Sequence, residues 1–266
     1  MNKLAAIVPA VVVLGFVASV WAGVVIDEQQ TIDQPNGTKV TRNRTVMIQD
    51  DKQISIIDNG ARSIITDLGK GLMTMIDGAR KSYVELPFPP RAPGMAAMQG
   101  GLFPTIHFKH TGAHETIQGY SCDDYSGEGT VGLNSVSMSG CFSTAVPGAD
   151  DYSNFQRQMA DKVKGTTVAN LGQIPHGVPL KLKIVTTLGN LPAAGLSREE
   201  ANKLNQMLTN RQFVTETTVS KISVKSLPPD SFEAPGGYQR EQLPPMLGGM
   251  SHGAPATPAA PSKVPE

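Results

Sequence analysis

The sequence predicts an α+β protein, mainly β, built on antiparallel strands. Three observations carry that reading. Short runs of alternating apolar and polar residues follow one another through the first half, punctuated by Gly, Asn and Asp turns. Only two stretches show helical spacing. Gly and Pro are abundant, at 27 and 20 of 266 residues, and aromatics are few, at 5%.

The strands are read in order. In TKVTRNRTVMIQDD, Val40, Val46 and Ile48 sit at even positions with Arg42 and Arg44 between them, and Ile54 and Ile56 continue that parity. Asn59-Gly60 predicts a tight hairpin, because both residues tolerate positive φ. Ile64, Thr66 and Leu68 alternate toward the turn Gly69-Lys70-Gly71. Leu72–Ile76 returns, Asp77–Arg80 turns, and Lys81–Leu86 leaves, which makes an antiparallel meander. Gly69-Lys70-Gly71 lacks the Walker spacing and opens no helix, so it reads as a turn and not as a phosphate cradle. Residues 87–101 are a Pro/Gly/Met-rich loop. Strands resume at 103–110 and 115–125. Gly127-Glu128-Gly129 is read as the turn joining arms 116–126 and 130–142.

The two helices are predicted at about 151–164 and 198–210. In the first, Asp150 or Asp151 caps the start, and Phe155, Met159 and Val163 share a face at i,i+4 spacing. The second opens on the capping box Ser197–Glu200 and carries Ala201, Leu204 and Leu208 on one face. Strands are predicted at 178–188 and 213–224. From 239 to 266 the chain is Pro/Ala/Gly-rich and cannot bury enough surface to offset its ordering entropy, so it reads as a disordered tail.

The chain opens with Lys3, an apolar run from Leu4 to Val20, and Val20-Trp21-Ala22. This is the pattern of a secretory signal peptide cleaved after Ala22. A retained anchor is the alternative, but the run is short and no basic stop-transfer cluster follows. The expected division is a signal peptide at 1–22, a β-rich domain at 23–238 and the tail. Net charge is zero, with 23 basic and 23 acidic residues. That argues against nucleic acid as a partner, and no span is expected after signal cleavage. Two cysteines in an oxidising compartment usually pair, so Cys122 and Cys141 are read as a disulfide near the open end of a hairpin. Free thiols and a catalytic cysteine remain open alternatives, although Asp123 and Asp124 oppose the electropositive setting a nucleophile needs.

Several segments carry a family resemblance: DLGKGLMTMIDGARKSYVEL, ETIQGYSCDDY, the strand Gly-Val-Pro-Leu-Lys-Leu and PPDSFEAPGGYQ. Their patterns D-x-x-x-K-x-Y, I-x-G-Y-x-C-x-x-Y and F-x-x-P-x-G-Y resemble the LolA/LolB lipoprotein-carrier superfamily, in a bacterial branch described as a domain of unknown function. The likeness covers residues 24 to 238. It implies an incomplete antiparallel β-barrel, a curved sheet wrapped around one or two helices. It also implies an apolar cavity and a periplasmic protein that holds an acyl chain or another greasy group. The expected function is a non-enzymatic binder of a hydrophobic small molecule or an acylated protein, with no cofactor. The alternative is an envelope sensor or interaction module that docks through 87–101 or the tail. Candidate cavity residues are Met47, Met73, Met75, Met138, Phe155, Met159 and Val163, the methionines because a flexible thioether makes an adaptable lining.

Metal chemistry is weighed at two places. His107, His110 and His114 are read as pointing apart, with His114 beyond a Thr111-Gly112 turn, and so not as zinc ligands. Met246, Met250 and His252 form a soft-ligand cluster suited to Cu(I), at the cost of ordering a tail. Asp123 and Asp124 are neighbours on a strand and point to opposite faces, so they cannot work as a paired acid and base. Asn36-Gly37-Thr38 and Asn43-Arg44-Thr45 match glycosylation acceptors, which matter only in a eukaryotic secretory pathway.

Overall fold

The computed structural model describes residues 22–34, 36–89, 105–131, 134–163, 174–189 and 211–242, with Ser197, Glu199, Glu200 and Lys203. The expected signal peptide, most of the expected 87–101 loop and second helix, and the expected tail beyond Gln242 lie outside the described residues.

The strands are β1 (Gly23–Asp33), β2 (Lys39–Gln49), β3 (Lys52–Ile57), β4 (Arg62–Asp67), β5 (Leu72–Asp77), β6 (Ser82–Pro87), β7 (Thr105–Ile117), β8 (Tyr120–Val131), β9 (Asn134–Ser143), β10 (Val178–Thr187), β11 (Gln212–Lys225) and β12 (Gln239–Arg240). The helix α1 (Ala149–Val163) sits between β9 and β10. The strands form one open sheet in the order β12-β6-β5-β4-β3-β2-β1-β11-β10-β9-β8-β7. Every pair is antiparallel except β12 with β6. The predicted fold class holds: a mostly β, open and curved antiparallel sheet around a helix.

The curvature follows from what α1 must cover. Its 15 residues make a rod of about 22 Å. Phe155 and Val163, both 0% exposed, pack into one cluster with Val46 and Ile48 of β2, Val24 and Ile26 of β1, Val219 of β11, Leu180 of β10, Cys141 of β9 and Cys122 of β8. Adjacent strands are about 4.8 Å apart, so a flat sheet would carry its outer strands past the helix, and gathering them requires the sheet to curl. The seat is fixed by backbone: the Gly177 N–H donates to Ser153 Oγ at 2.8 Å in buried surroundings. Gly177 has φ +113, and a Cβ there would lie 2.5 Å from the Ser143 carbonyl oxygen, so the Gly of Gly-Val-Pro-Leu-Lys-Leu is required where chain crosses chain. Asp150 and Asp151 lie in the first turn, where they complement the helix dipole, and the helix starts at Ala149, two residues before the predicted start.

The opposite face of the sheet has its own cover. Val25, Ile54, Ile65 and Ile76 are buried against Leu227 and Phe232, with Met47, Ile56, Tyr83 and Tyr238 packed around them. The segment after β11 therefore returns across the meander. Gln239 N donates to the Lys81 carbonyl at 2.9 Å and Glu241 N to the Tyr83 carbonyl at 2.8 Å. Arg240 pairs with Glu85 at 2.7 Å and Arg80 with Glu241 at 3.2 Å. The motifs D-x-x-x-K-x-Y and F-x-x-P-x-G-Y are thus the two halves of one clamp. The expected tail boundary at Tyr238 falls inside it, because backbone pairing holds residues of low apolar content that composition alone marks as tail.

Two turns move. Gly127, Glu128 and Gly129 are not a turn but part of β8, and the β8–β9 connection comes at 132–133. A Cβ on Gly127 would lie 2.6 Å from Ile106 Cγ2, so the glycine leaves room for a neighbouring strand's side chain. Thr111–Ala113 is likewise not a turn but a bulge within β7, where the register shifts between His110 and His114. The strand expected at 115–125 is broken as well: β7 ends at Ile117 and β8 begins at Tyr120, across a turn at Gln118 and Gly119, both with positive φ. The other turns fall where they were read. Asp58, Asn59 and Gly60 all have positive φ in the β3–β4 link. Lys70 N and Arg80 N donate to Asp67 Oδ1 and Asp77 Oδ1, which makes Gly69–Gly71 and Gly78–Arg80 matching turns. The capping box forms, with Ser197 N donating to Glu200 Oε2 and Glu200 N donating to Ser197 Oγ.

Candidate functional site

The concave face is the one α1 covers, and the registers trace it across the strands. Val219 belongs to the main core, so Thr217 and Thr215, at two-residue steps along β11, share its face. Thr215 is opposite Ile184, which is opposite Met138, opposite Gly127, opposite Phe108. Leu182, Gly140 and Tyr125 form the next row; beyond it the register shifts between Pro179 and Lys181, and there Cys141, of the other parity on β9, joins the core. Phe108, Met138 and Ile184 are half-buried around the buried Ile106 and Val136. Phe142 stands edge-on to Phe108 and Tyr125, at 6.2 and 5.6 Å between ring centroids. On the other flank of α1 the row Val46, Ser55, Ile64, Met75, Val84 continues the same face. There Met75 is 45% exposed, although it is a large apolar side chain. The helix therefore covers the middle of an apolar concave face and leaves apolar strips on both sides of it.

The predicted cavity residues separate by face. Met73, Met75 and Met138 are on the concave side. Phe155 and Val163 are fully buried under α1, with Met159 packed beside them. Met47 faces the other way: it is opposite Val25 and Ile54 and serves the cluster closed by Phe232. Met47 alternates with Val46 and Ile48 along β2, and across the two-residue turn Asp50-Asp51 even positions pair with odd ones. Ile54 and Ile56 accordingly lie on the face opposite Val46 and Ile48 despite their shared parity.

Sequence reading missed the polar group under the helix. Glu28, on β1, is 8% exposed and lies 3.7 Å from Arg44 Nη1, and its Oε2 accepts no hydrogen bond among the described residues. Arg44 Nε donates to Ser55 Oγ at 2.8 Å. Burial pushes the Glu28 carboxyl up from its ordinary value, opposed by the Arg44 charge, and burial likewise raises the Tyr152 phenol nearby. The folded chain then holds the Glu28 proton more tightly than the unfolded chain. Its contribution to stability is fully present below the ordinary carboxyl value and is lost as pH rises through the raised one. Glu28→Gln is expected to flatten that part of the decline in urea-unfolding stability, leaving the variant at least as stable as wild type near neutral pH. A variant less stable at neutral pH would show instead that the Arg44 pairing outweighs burial.

Cys122 and Cys141 form a disulfide, with Cα atoms 5.3 Å apart, near the open end of the β8–β9 hairpin. Both are buried in the main core. The histidines correct the sequence reading in part. His107 stands apart, on an open cleft of 680 Å³ shared with Lys109, Glu128, Met138, Lys183 and Val185. His110 and His114, however, converge with Asp123. The soft cluster Met246, Met250 and His252 lies outside the described residues. No helix among the described residues is long and apolar enough to cross a membrane.

Fold and site together define a class: an open antiparallel sheet curled round α1, with an incompletely covered apolar concave face. No protein-family model matches the sequence, and no curated protein matches it. Among solved structures the chain is similar to a putative outer membrane lipoprotein-sorting protein domain from Vibrio parahaemolyticus, at 11% identity and TM-score 0.35, over 80% of this chain and 90% of that one. It is similar to a LolA superfamily protein from Nitrosomonas europaea at 11% identity and TM-score 0.30, over 80% and 90% of the two chains. PNGF-II matches at 13% identity and TM-score 0.38 over 84% of this chain, which spans about a third, 32%, of that protein's length. Nothing about a ligand follows from likenesses of this size.

Proposed function

We propose that the chain is an exported, non-enzymatic binding protein that holds an acyl chain or another hydrophobic group against the concave face of its sheet. The observation that carries this reading is the apolar strip beside α1, with Phe108, Met138, Leu182 and Ile184 on one flank and Ile64, Met75 and Val84 on the other. A lone exposed Leu or Met needs no explanation, but contiguous apolar rows on the concave side of a curved sheet mark a binding groove. Export is supported by the apolar N-terminal run ending in Val20-Trp21-Ala22 and by the buried disulfide, which suits an oxidising compartment. A periplasmic site is the corresponding location.

The test is native mass spectrometry of protein purified from its own host, followed by titration of the delipidated protein with a fluorescent fatty acid. The expected result is a co-purifying acyl mass, and fatty-acid affinity that falls in Ile184→Glu. An empty protein, with fatty-acid affinity absent or equal in that variant, would end the reading. A stoichiometric protein partner with no acyl mass would replace it by a docking role.

A further inference from the structure

We propose that His110, His114 and Asp123 form an open binding site for a borderline divalent metal ion of the zinc class. One ligand atom from each lies within 4.8 Å of the others. The bulge in β7 creates the juxtaposition. On a regular strand, residues four apart are separated by about 13 Å. Here His110 is opposite Tyr125 and His114 is opposite Asp123, so four steps on β7 answer to two on β8. The excess is looped out at Thr111–Ala113, and the two rings come to 5.9 Å between centroids.

The bulge is held by its own hydrogen bonds. Thr111 Oγ1 donates to the Asp124 carbonyl at 3.1 Å, and Ala113 N donates to Thr111 Oγ1 at 3.3 Å. The donors are oriented as well. His114 Nδ1 is hydrogen-bonded to Asp123 Oδ1, and the Tyr125 ring stands edge-on to His110 at 5.2 Å. Two imidazoles and a carboxylate are the donor set of three-ligand zinc sites, in which further positions stay open to water or substrate. To meet a common ion, His114 Nδ1 and Asp123 Oδ1 must part slightly while the ligand atom of His110 closes in on them. The side chains have room to do so, since His114 is 68% and Asp123 50% exposed. An ion there would take the place of the proton that now joins His114 to Asp123.

The experiment is isothermal titration of the tag-free protein with Zn2+. Wild type is expected to bind one equivalent with micromolar affinity. His110→Ala and His114→Ala are each expected to weaken it by about tenfold or more, and Asp123→Asn to weaken it measurably. His107→Ala, His176→Ala and His252→Ala are expected to leave it unchanged. Circular dichroism melts of each variant check folding. Two outcomes overturn the proposal: a wild type that binds no Zn2+ in the micromolar range, or binding retained in a folded His110→Ala/His114→Ala variant.

Discussion

Phe155→Ala is expected to cost about 3–5 kcal/mol of stability in urea unfolding and to lower Tm by roughly 10 °C. Phe155 is 0% exposed and the largest of the fully buried side chains, and it touches a core assembled from strands on both sides of the sheet's midline. Truncating it leaves a cavity between rigid layers. The sheet cannot collapse into that space, because its curvature is fixed by the pairing from β2 to β8, and the helix is tied down by Ser153 to Gly177. A loss below about 1 kcal/mol would mean that the helix is not the centre on which the sheet closes.

Removing the disulfide as Cys122→Ala/Cys141→Ala is expected to cost about 3 kcal/mol through the freedom returned to the unfolded chain, given the 19-residue separation. Core atoms are lost as well, since Cys122 and Cys141 are 3% and 0% exposed, so the measured loss should exceed the loop term. A thermal melt of the double variant beside wild type measures it. The same burial predicts that reductant lowers the melting temperature only when it is present while the protein unfolds. A variant as stable as wild type would show that the sheet ladder alone fixes this hairpin.

The sequence was most informative where one element serves one purpose. The i,i+4 face Phe155, Met159, Val163 names the buried side of α1, and the strands at 178–187 and 212–225 fall within a residue of their expected ends. Reading failed where a signal has two meanings. Glycine marks turns, but Gly127 and Gly129 lie in a strand because Ile106 leans over the first of them. Thr111-Gly112 looks like a turn and is a bulge, and that error hid the meeting of His110, His114 and Asp123. Parity shows which residues share a face only within one strand, so the tight turn at Asp50-Asp51 sent Ile54 and Ile56 to the face opposite the one continued alternation assigned. Glu28 gave no local signal at all. It lies on β1, a strand without apolar/polar alternation that the sequence reading did not place, and it is buried beside Tyr152 of α1, more than a hundred residues away.

The methionines allow the most direct test of the binding face. With methyl-labelled methionine, a fatty acid carrying a nitroxide near its tail is expected to broaden the resonances of Met75 and Met138, on the concave side, and to leave Met47, beneath Phe232, sharp. Broadening of Met47 equal to that of Met75 and Met138, or of none of the three, would contradict a hydrophobic ligand seated between the sheet and its helix.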